Sequence, residues 1–268
     1  MKLSIITISL NSERCIEKTI QSVLNQSVPV FEYIMIDGAS MDRTYEIICS
    51  YDEEFKKRGI RFIHISEPDN GISDAFNKGI ERATGDLVGI INADDELLPD
   101  TNKLLCKALE KNKADIYYGN CWWVDTTHHI EYVSRPRHKL ENLLYNMVLI
   151  HPATFVTKLT YKECGGFNTE YKYCMDKELL YRFYKSGKKF QYVDAELTRF
   201  KSGGVSDTHS RAVYKEGTRM ALSYGEPFIK VKAIEYRKVL RNKAVVFLKG
   251  TFLYKRIKKR KGFNIQAI

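Results

Sequence analysis

The amino-acid sequence predicts an α/β protein, with a mostly parallel central sheet flanked by helices and a basic helical extension at the C-terminus. Three observations point there. Short apolar runs alternate with stretches whose apolar residues recur at helical spacing, giving the order β-α-β-α-β-α-β over residues 3–91. Each strand-like run ends in polar or acidic residues, which in an open α/β sheet would meet in one crevice beyond the carboxyl ends of the strands. The charge is also segregated. The whole chain carries +10, yet residues 229–268 hold 13 Lys/Arg against one acid, a net of +12, so the other 228 residues carry about −2.

Residues 3–8 read as the first strand, with Asn11 and Ser12 placed to cap the following helix. Ile16, Ile20, Val23 and Leu24 fall at i, i+4, i+7 and i+8 on one face of that helix. The second strand, 33–36, runs into Asp37. Ser40 and Asp42 are then placed to cap a helix that shows Ile47, Ile48, Tyr51 and Phe55 on one side. The third strand, 61–65, stops at a Pro, Asp, Asn and Gly turn over 67–71. Residues 72–83 form a helix with Ile72, Ala75, Phe76, Gly79, Ile80 and Ala83 on one face. The fourth strand, 87–91, meets Asn92, Asp94, Asp95 and Glu96, and a helix is expected over 97–109. The pattern then changes. Residues 114–124 and 130–133 read as aromatic-rich antiparallel strands, 140–145 as a short helix, and 151–155 as a loop leading into a strand. A Gly165-Gly166-Phe167 turn, a helix over 176–185, strand pieces at 190–193 and 197–200, and a Gly-Gly loop over 201–206 complete the order.

A hydrophobic content of 44% and 28% charged residues fit an ordinary globular protein. None of the six cysteines forms a C-x-x-C pair and no apolar leader of signal length precedes the first strand, so reduced thiols and a cytoplasmic location are expected. His and Cys do not cluster at zinc-ligand spacing. The body gives no compositional argument for nucleic-acid binding. No G-x-G-x-x-G follows the first strand and no G-x-x-x-x-G-K-[ST] occurs anywhere, so a phosphate would have to be held by a metal and side chains. Adjacent carboxylates at the end of a buried strand repel each other unless a divalent cation joins them, and hard oxygen ligands suit Mg²⁺ or Mn²⁺. The plainer alternative is that Asp94 and Asp95 cap the next helix.

Five pieces together carry a family resemblance: SIITISLN, IDGASMDRT, EPDNGISDAFNKGIERATGDLVGIINADDELLP, HPATFVTK and GGFNTEYKYCMDKELLYRF. Over roughly residues 2–206 the chain resembles the family 2 inverting glycosyltransferases of bacterial cell-surface polysaccharide synthesis. The resemblance implies a GT-A, Rossmann-like fold, a nucleoside-diphosphate sugar donor (UDP or GDP) and a divalent metal. Carried over to this sequence, it makes Thr7, Asn11 and Asp37 the base- and ribose-side donor contacts. Asp37 also reads as a turn residue before Gly38. It places Asp69 and Asp74 along the donor crevice, with Lys78 either a phosphate or sugar contact or a solvated helix residue. Asp94 and Asp95 match the metal motif, with Asp94 nearer the ribose and Asp95 nearer the ion, although the Asn92-Ala93-Asp94-Asp95 variant leaves open which carboxylate touches it. Asp176 resembles the catalytic base, or else caps its own helix. Met175 stands where many relatives carry a second acid, so Glu178 becomes a candidate to share the work. His151 is a donor- or acceptor-side candidate, and Gly203 and Gly204 resemble a lid loop over the diphosphate.

The expected organisation is a domain over 1–225, with a nucleotide-sugar half (1–110) and an acceptor half (111–225), followed by a basic tail over 226–268. In the tail Val239, Val245, Phe247 and Leu253 interleave with Arg237, Lys238, Arg241 and Lys249, which suits an interfacial segment on an anionic inner leaflet beside a lipid-linked or saccharide acceptor, or an ordinary docking helix. Its longest uncharged apolar run is too short to span a bilayer. The competing functions are a sugar-phosphate nucleotidyltransferase, which the absence of a Gly-rich loop after the first strand disfavours, and a non-catalytic sugar- or membrane-surface-binding module.

Overall fold

The computed structural model describes residues 1–125, 130–201, 210–248 and 266–267. The chain opens with β1 (Leu3–Ser9), α1 (Ile16–Leu24), β2 (Glu32–Asp37), α2 (Thr44–Cys49), α3 (Asp52–Lys57), β3 (Arg61–Ser66), α4 (Ile72–Arg82) and β4 (Leu87–Asn92). These strands pair in parallel in the spatial order β4-β1-β2-β3. Both faces are covered, which is why the strands read as nearly unbroken apolar runs. Alternation sorts their side chains: Leu3, Ile5, Tyr33 and Met35 pack with α1, α2 and α3 on one face, and Ile6, Ile34, Ile36 and Val88 pack with Ala75, Phe76 and Ile80 of α4 on the other.

The second half extends the same sheet with antiparallel strands. β5 (Glu96–Leu97), α5 (Thr101–Lys111), β6 (Ile116–Asp125) and β7 (Ile130–Ser134) come first. β8 (Thr154–Thr157), α6 (Lys158–Cys164), α7 (Met175–Lys185) and β9 (Phe190–Lys201) follow, then α8 (Ser210–Ser223) and α9 (Phe228–Leu248). β8 inserts between β4 and β6, antiparallel to both, and β9 runs parallel to β6 and antiparallel to β5. Gly89 of β4 makes the β8 insertion possible, because a Cβ there would lie 2.5 Å from the Phe155 ring.

Several boundaries differ from the sequence-based expectations. The helix expected from 97 starts at Thr101, because Glu96 and Leu97 pair with Arg199 and Thr198 of β9. The two strand pieces at 190–193 and 197–200 are one strand, with a register irregularity against β6 between Tyr118 and Cys121. Asn11 and Ser12 do not cap α1 with their side chains. Asn11 takes φ 50°, and its Oδ1 accepts from the Met41 amide while its own amide donates to Ser40 Oγ. Asp42 does accept from the Thr44 amide at the head of α2, whereas Ser40 turns to Asp37. All six cysteines are free thiols, and among the described residues no helix is long and apolar enough to cross a membrane.

Candidate active site

A crevice of about 1170 Å³ opens at the carboxyl ends of β1 and β4 and is closed on its other side by the start of α7 and by α8 and α9. Ser9, Asp69, Asn92 and Asp94 line its strand side, and His151, Asp176 and Lys177 line its far side. Asp69 comes close because Gly38 has no side chain: a Cβ there would lie 2.7 Å from Asp69 Oδ2.

The two adjacent carboxylates face different ways. Asp94 is half-buried, lines the crevice, and receives no hydrogen bond from a described residue. Asp95 is fully buried and folds back. Its Oδ2 accepts from Asn92 Nδ2 at 2.8 Å and the Asn92 amide at 3.3 Å, and its Oδ1 accepts from the Lys201 amide at 3.3 Å. Burial, reinforced by the charge of Asp94, pushes the Asp95 carboxyl up to about 7. The carboxylate presented to the crevice is Asp94, where the sequence leaves open which of the two would touch an ion, and Asp95 is taken up in closing its own turn. Among the described residues no three of His, Cys, Asp or Glu group to hold a metal alone. One free carboxylate nevertheless fits a hard divalent ion, since Mg²⁺-type sites use one or two carboxylates and complete their shell with phosphate and water oxygens.

Asp37 is fully buried, and four protein donors hold its carboxylate: Ser9 Oγ at 3.0 Å, Ser40 Oγ at 2.5 Å, the Ser40 amide at 2.9 Å and Ser66 Oγ at 2.7 Å. Any base contact would have to displace one of them. Thr7 lies wholly inside the sheet, accepting from the Tyr33 hydroxyl, and does not reach the crevice. Asp74 and Lys78 also lie off the lining. Lys78 pairs with Glu67 at 3.0 Å and donates to the Pro68 carbonyl, bracing the 67–71 turn, and Asp74 accepts from the Asn70 amide.

Asp176 is the second residue of α7 and lies open to the crevice, its Oδ1 accepting from the Lys177 amide. It is not the helix cap, which is Cys174. The turn ahead of it is held from α8, where the Glu216 carboxylate accepts from the amides of Lys172, Tyr173 and Cys174 at 2.6–2.8 Å. His151 packs against Phe76 and Phe167, where burial pulls its pKa down and the Asp176 charge opposes that. Glu178 does not share the crevice. It accepts from Arg182 and the Tyr224 hydroxyl, and Arg182 in turn clamps the Cys164, Gly165 and Gly166 carbonyls. Gly203 and Gly204 lie outside the described residues. The sequence reading missed Glu216, Lys177, Arg135, Arg137 and the α8–α9 wall; the only local signal was Lys177 standing next to Asp176.

The family model "Glycosyl transferase family 2" matches residues 4–156, more than half of the chain and the whole span from β1 into β8. The chain belongs to glycosyl transferase family 2. This glycosyltransferase is 26% identical over 211 residues to a Mycobacterium bovis PGL/p-HBAD biosynthesis glycosyltransferase, covering 76% of this chain and 79% of that one. It is 39% identical over 118 residues (44% and 46% of the two chains) to TuaG, a Bacillus subtilis glycosyltransferase assigned to teichuronic acid biosynthesis. In structure it resembles S. aureus TarS in complex with UDP-GlcNAc, with a TM-score of 0.66, 17% identity, and coverage of 88% of this chain and 70% of that one. It also resembles the Pyrobaculum calidifontis mannosyltransferase PcManGT in complex with GDP-Man and Mn²⁺, with a TM-score of 0.64, 16% identity, and coverage of 97% and 79%. The curled sheet and flanking helices of this glycosyltransferase are those of the GT-A fold.

Proposed function

We propose that this glycosyltransferase is an inverting, metal-dependent enzyme that moves a sugar from a UDP- or GDP-sugar to a hydroxyl of a lipid-linked or growing surface polysaccharide. The observation that carries the reading is that Asp94, in the turn after β4, and Asp176, in the first turn of α7, open into one crevice while the nearby carboxylates Asp37, Asp95 and Glu178 are held by protein donors. The bound nucleotides and Mn²⁺ of the structural neighbours, and the biosynthetic names of the relatives, support the donor and acceptor classes.

A divalent cation on Asp94 would supply charge neutralisation for the departing diphosphate. Asp176 accepts the proton of the acceptor hydroxyl as that oxygen bonds to the anomeric carbon, opposite the breaking bond to the diphosphate, so the configuration inverts. Asp69 and Ser9 bound the donor side. His151, whose pKa burial pulls down against the charge of Asp176, orients the acceptor hydroxyl toward Asp176. The exposed Phe228, Ile229, Tyr236 and Leu240 of α9, interleaved with exposed Lys230, Lys232 and Arg237, suit an anionic membrane surface on which a lipid-linked acceptor would be met.

The test is thermal melting with UDP-, GDP- and dTDP-sugars, in Mn²⁺ and in EDTA. A metal-dependent rise for one nucleotide class is expected, lost in Asp94→Ala. No rise with any nucleotide on folded protein would overturn the reading.

A further inference from the structure

The part of the crevice wall built by α7 and α9 carries positive charge that no carboxylate among the described residues pairs with. Lys177, directly after Asp176, is only 8% exposed. Its ammonium lies against the backbone of α8 where Gly217 leaves room, since a Cβ there would be 3.0 Å from Lys177 Nζ. Lys238 of α9 is half-buried on the same crevice and donates to the Tyr145 carbonyl, and Arg241 lies one helical turn further on. Burial, and then the charges of Lys177 and Arg241, push the Lys238 ammonium down to about 8, with the Cys174 thiol opposing. Among the described residues no carboxylate lies within ion-pair distance of Lys177 or Lys238. The acid nearest along the helix, Glu235, is taken by Lys232 at 2.7 Å and Thr218 at 3.0 Å. Gathering like charges in a half-dry wall is unfavourable unless an anion joins them.

We propose that Lys177, Lys238 and Arg241 form a subsite for an oxyanion of the acceptor, a phosphate or a carboxylate, on the far side of Asp176 from the donor. The proposal rests on the glycosyltransferase reading of the crevice. It assigns the cations to the acceptor because they stand on α7 and α9, whereas the residues at the donor end, Ser9, Asp69 and Asp94, stand at or just beyond strand ends. The subsite would fix the distance between the acidic group and the hydroxyl that reaches Asp176, and so select acidic acceptors over neutral ones.

The experiment is calorimetric titration of the full chain with decyl phosphate, glucuronate and, as the neutral control, octyl glucoside, in wild type, Lys177→Gln and Lys238→Gln. Wild type is expected to bind at least one of the two anions saturably and more tightly than the control. Binding of decyl phosphate assigns a phosphate-bearing acceptor, and binding of glucuronate alone assigns an acidic sugar. Each variant should weaken that binding by about tenfold or more, the usual effect of losing one charge-assisted hydrogen bond. Melting temperatures should stay level or rise, because each change removes a crowded cation. Anion binding no tighter than the control, or unchanged in both variants, would overturn the proposal. A nucleotide-induced melting shift abolished by Lys238→Gln would overturn it too, by assigning the cations to the donor diphosphate. If no nucleotide shifts the wild type while lysine-dependent anion binding persists, the donor reading fails and the subsite stands.

Discussion

Asp94 and Asp95 are neighbours in sequence with opposite surroundings, and the difference has a measurable sign. In the unfolded chain Asp95 ionises in the ordinary carboxyl range, and in the folded protein it is pushed up to about 7. Below about pH 4 both states hold the proton and Asp95 costs nothing. As pH rises toward 7 the unfolded state releases the proton first, so stability falls, at up to about 1.4 kcal/mol for each unit by which the two pKa values differ. In EDTA, Asp95→Asn is therefore expected to melt higher than wild type at pH 8 and to flatten the loss of stability between pH 4 and 7, as followed by denaturant titration across pH. A steeper loss in the variant would contradict the burial account. At Asp176, replacement by Asn should leave the nucleotide-induced melting shift in place while lowering kcat by about 10²–10⁴-fold, the range ascribed to a general base. Equal loss of donor binding and turnover would make Asp176 a donor contact. The carboxyl types and their placement at strand and helix ends were legible from the sequence. Which oxygens stay free was not, because Lys201 satisfies Asp95 from 106 residues away.

At the scale of elements, the start of α7 is set by α8. The three amides ahead of Asp176 end on one carboxylate, Glu216, so Glu216→Gln, which keeps the shape and removes the charge, should lower kcat more than the donor KM and leave the melting shift with nucleotide intact. A change confined to thermal stability would reduce Glu216 to a structural brace. Helix α4 gives an expectation opposite to helix propensity. Gly→Ala within a helix ordinarily stabilises by about 1 kcal/mol, but a Cβ at Gly79 would meet Ile6 at 2.5 Å, so Gly79→Ala should destabilise by about 1–3 kcal/mol in urea unfolding. Elements with one local periodic face, such as α1, α4 and β1, were readable. α8 was not, since its role is to hold a turn more than 40 residues earlier. β9 was readable only in pieces, because exposed Asp194 and the register irregularity against β6 interrupt its apolar run.

Across the whole molecule, the parallel half follows from the sequence order, while the antiparallel extension depends on β8 slipping between β4 and β6, a non-local pairing that no short-range pattern announces. α9 belongs to both halves of the functional question: Val231 packs into the core, while Phe228, Ile229 and Tyr236 face outward. The full chain is expected to sediment with phosphatidylglycerol vesicles but not with phosphatidylcholine vesicles, and to be released by high salt. Equal partition onto both would remove the charge argument. The tie from Lys201 to Asp95, together with the pairing of β5 to β9, carries one more consequence. On the ribosome the strands and helices of the first half emerge early, yet the turn bearing both aspartates lacks its last partner until residue 201 has left the exit tunnel. A nascent or prematurely ended chain thus has the sheet without a finished carboxylate turn, which closes only once residue 201 is free to reach it.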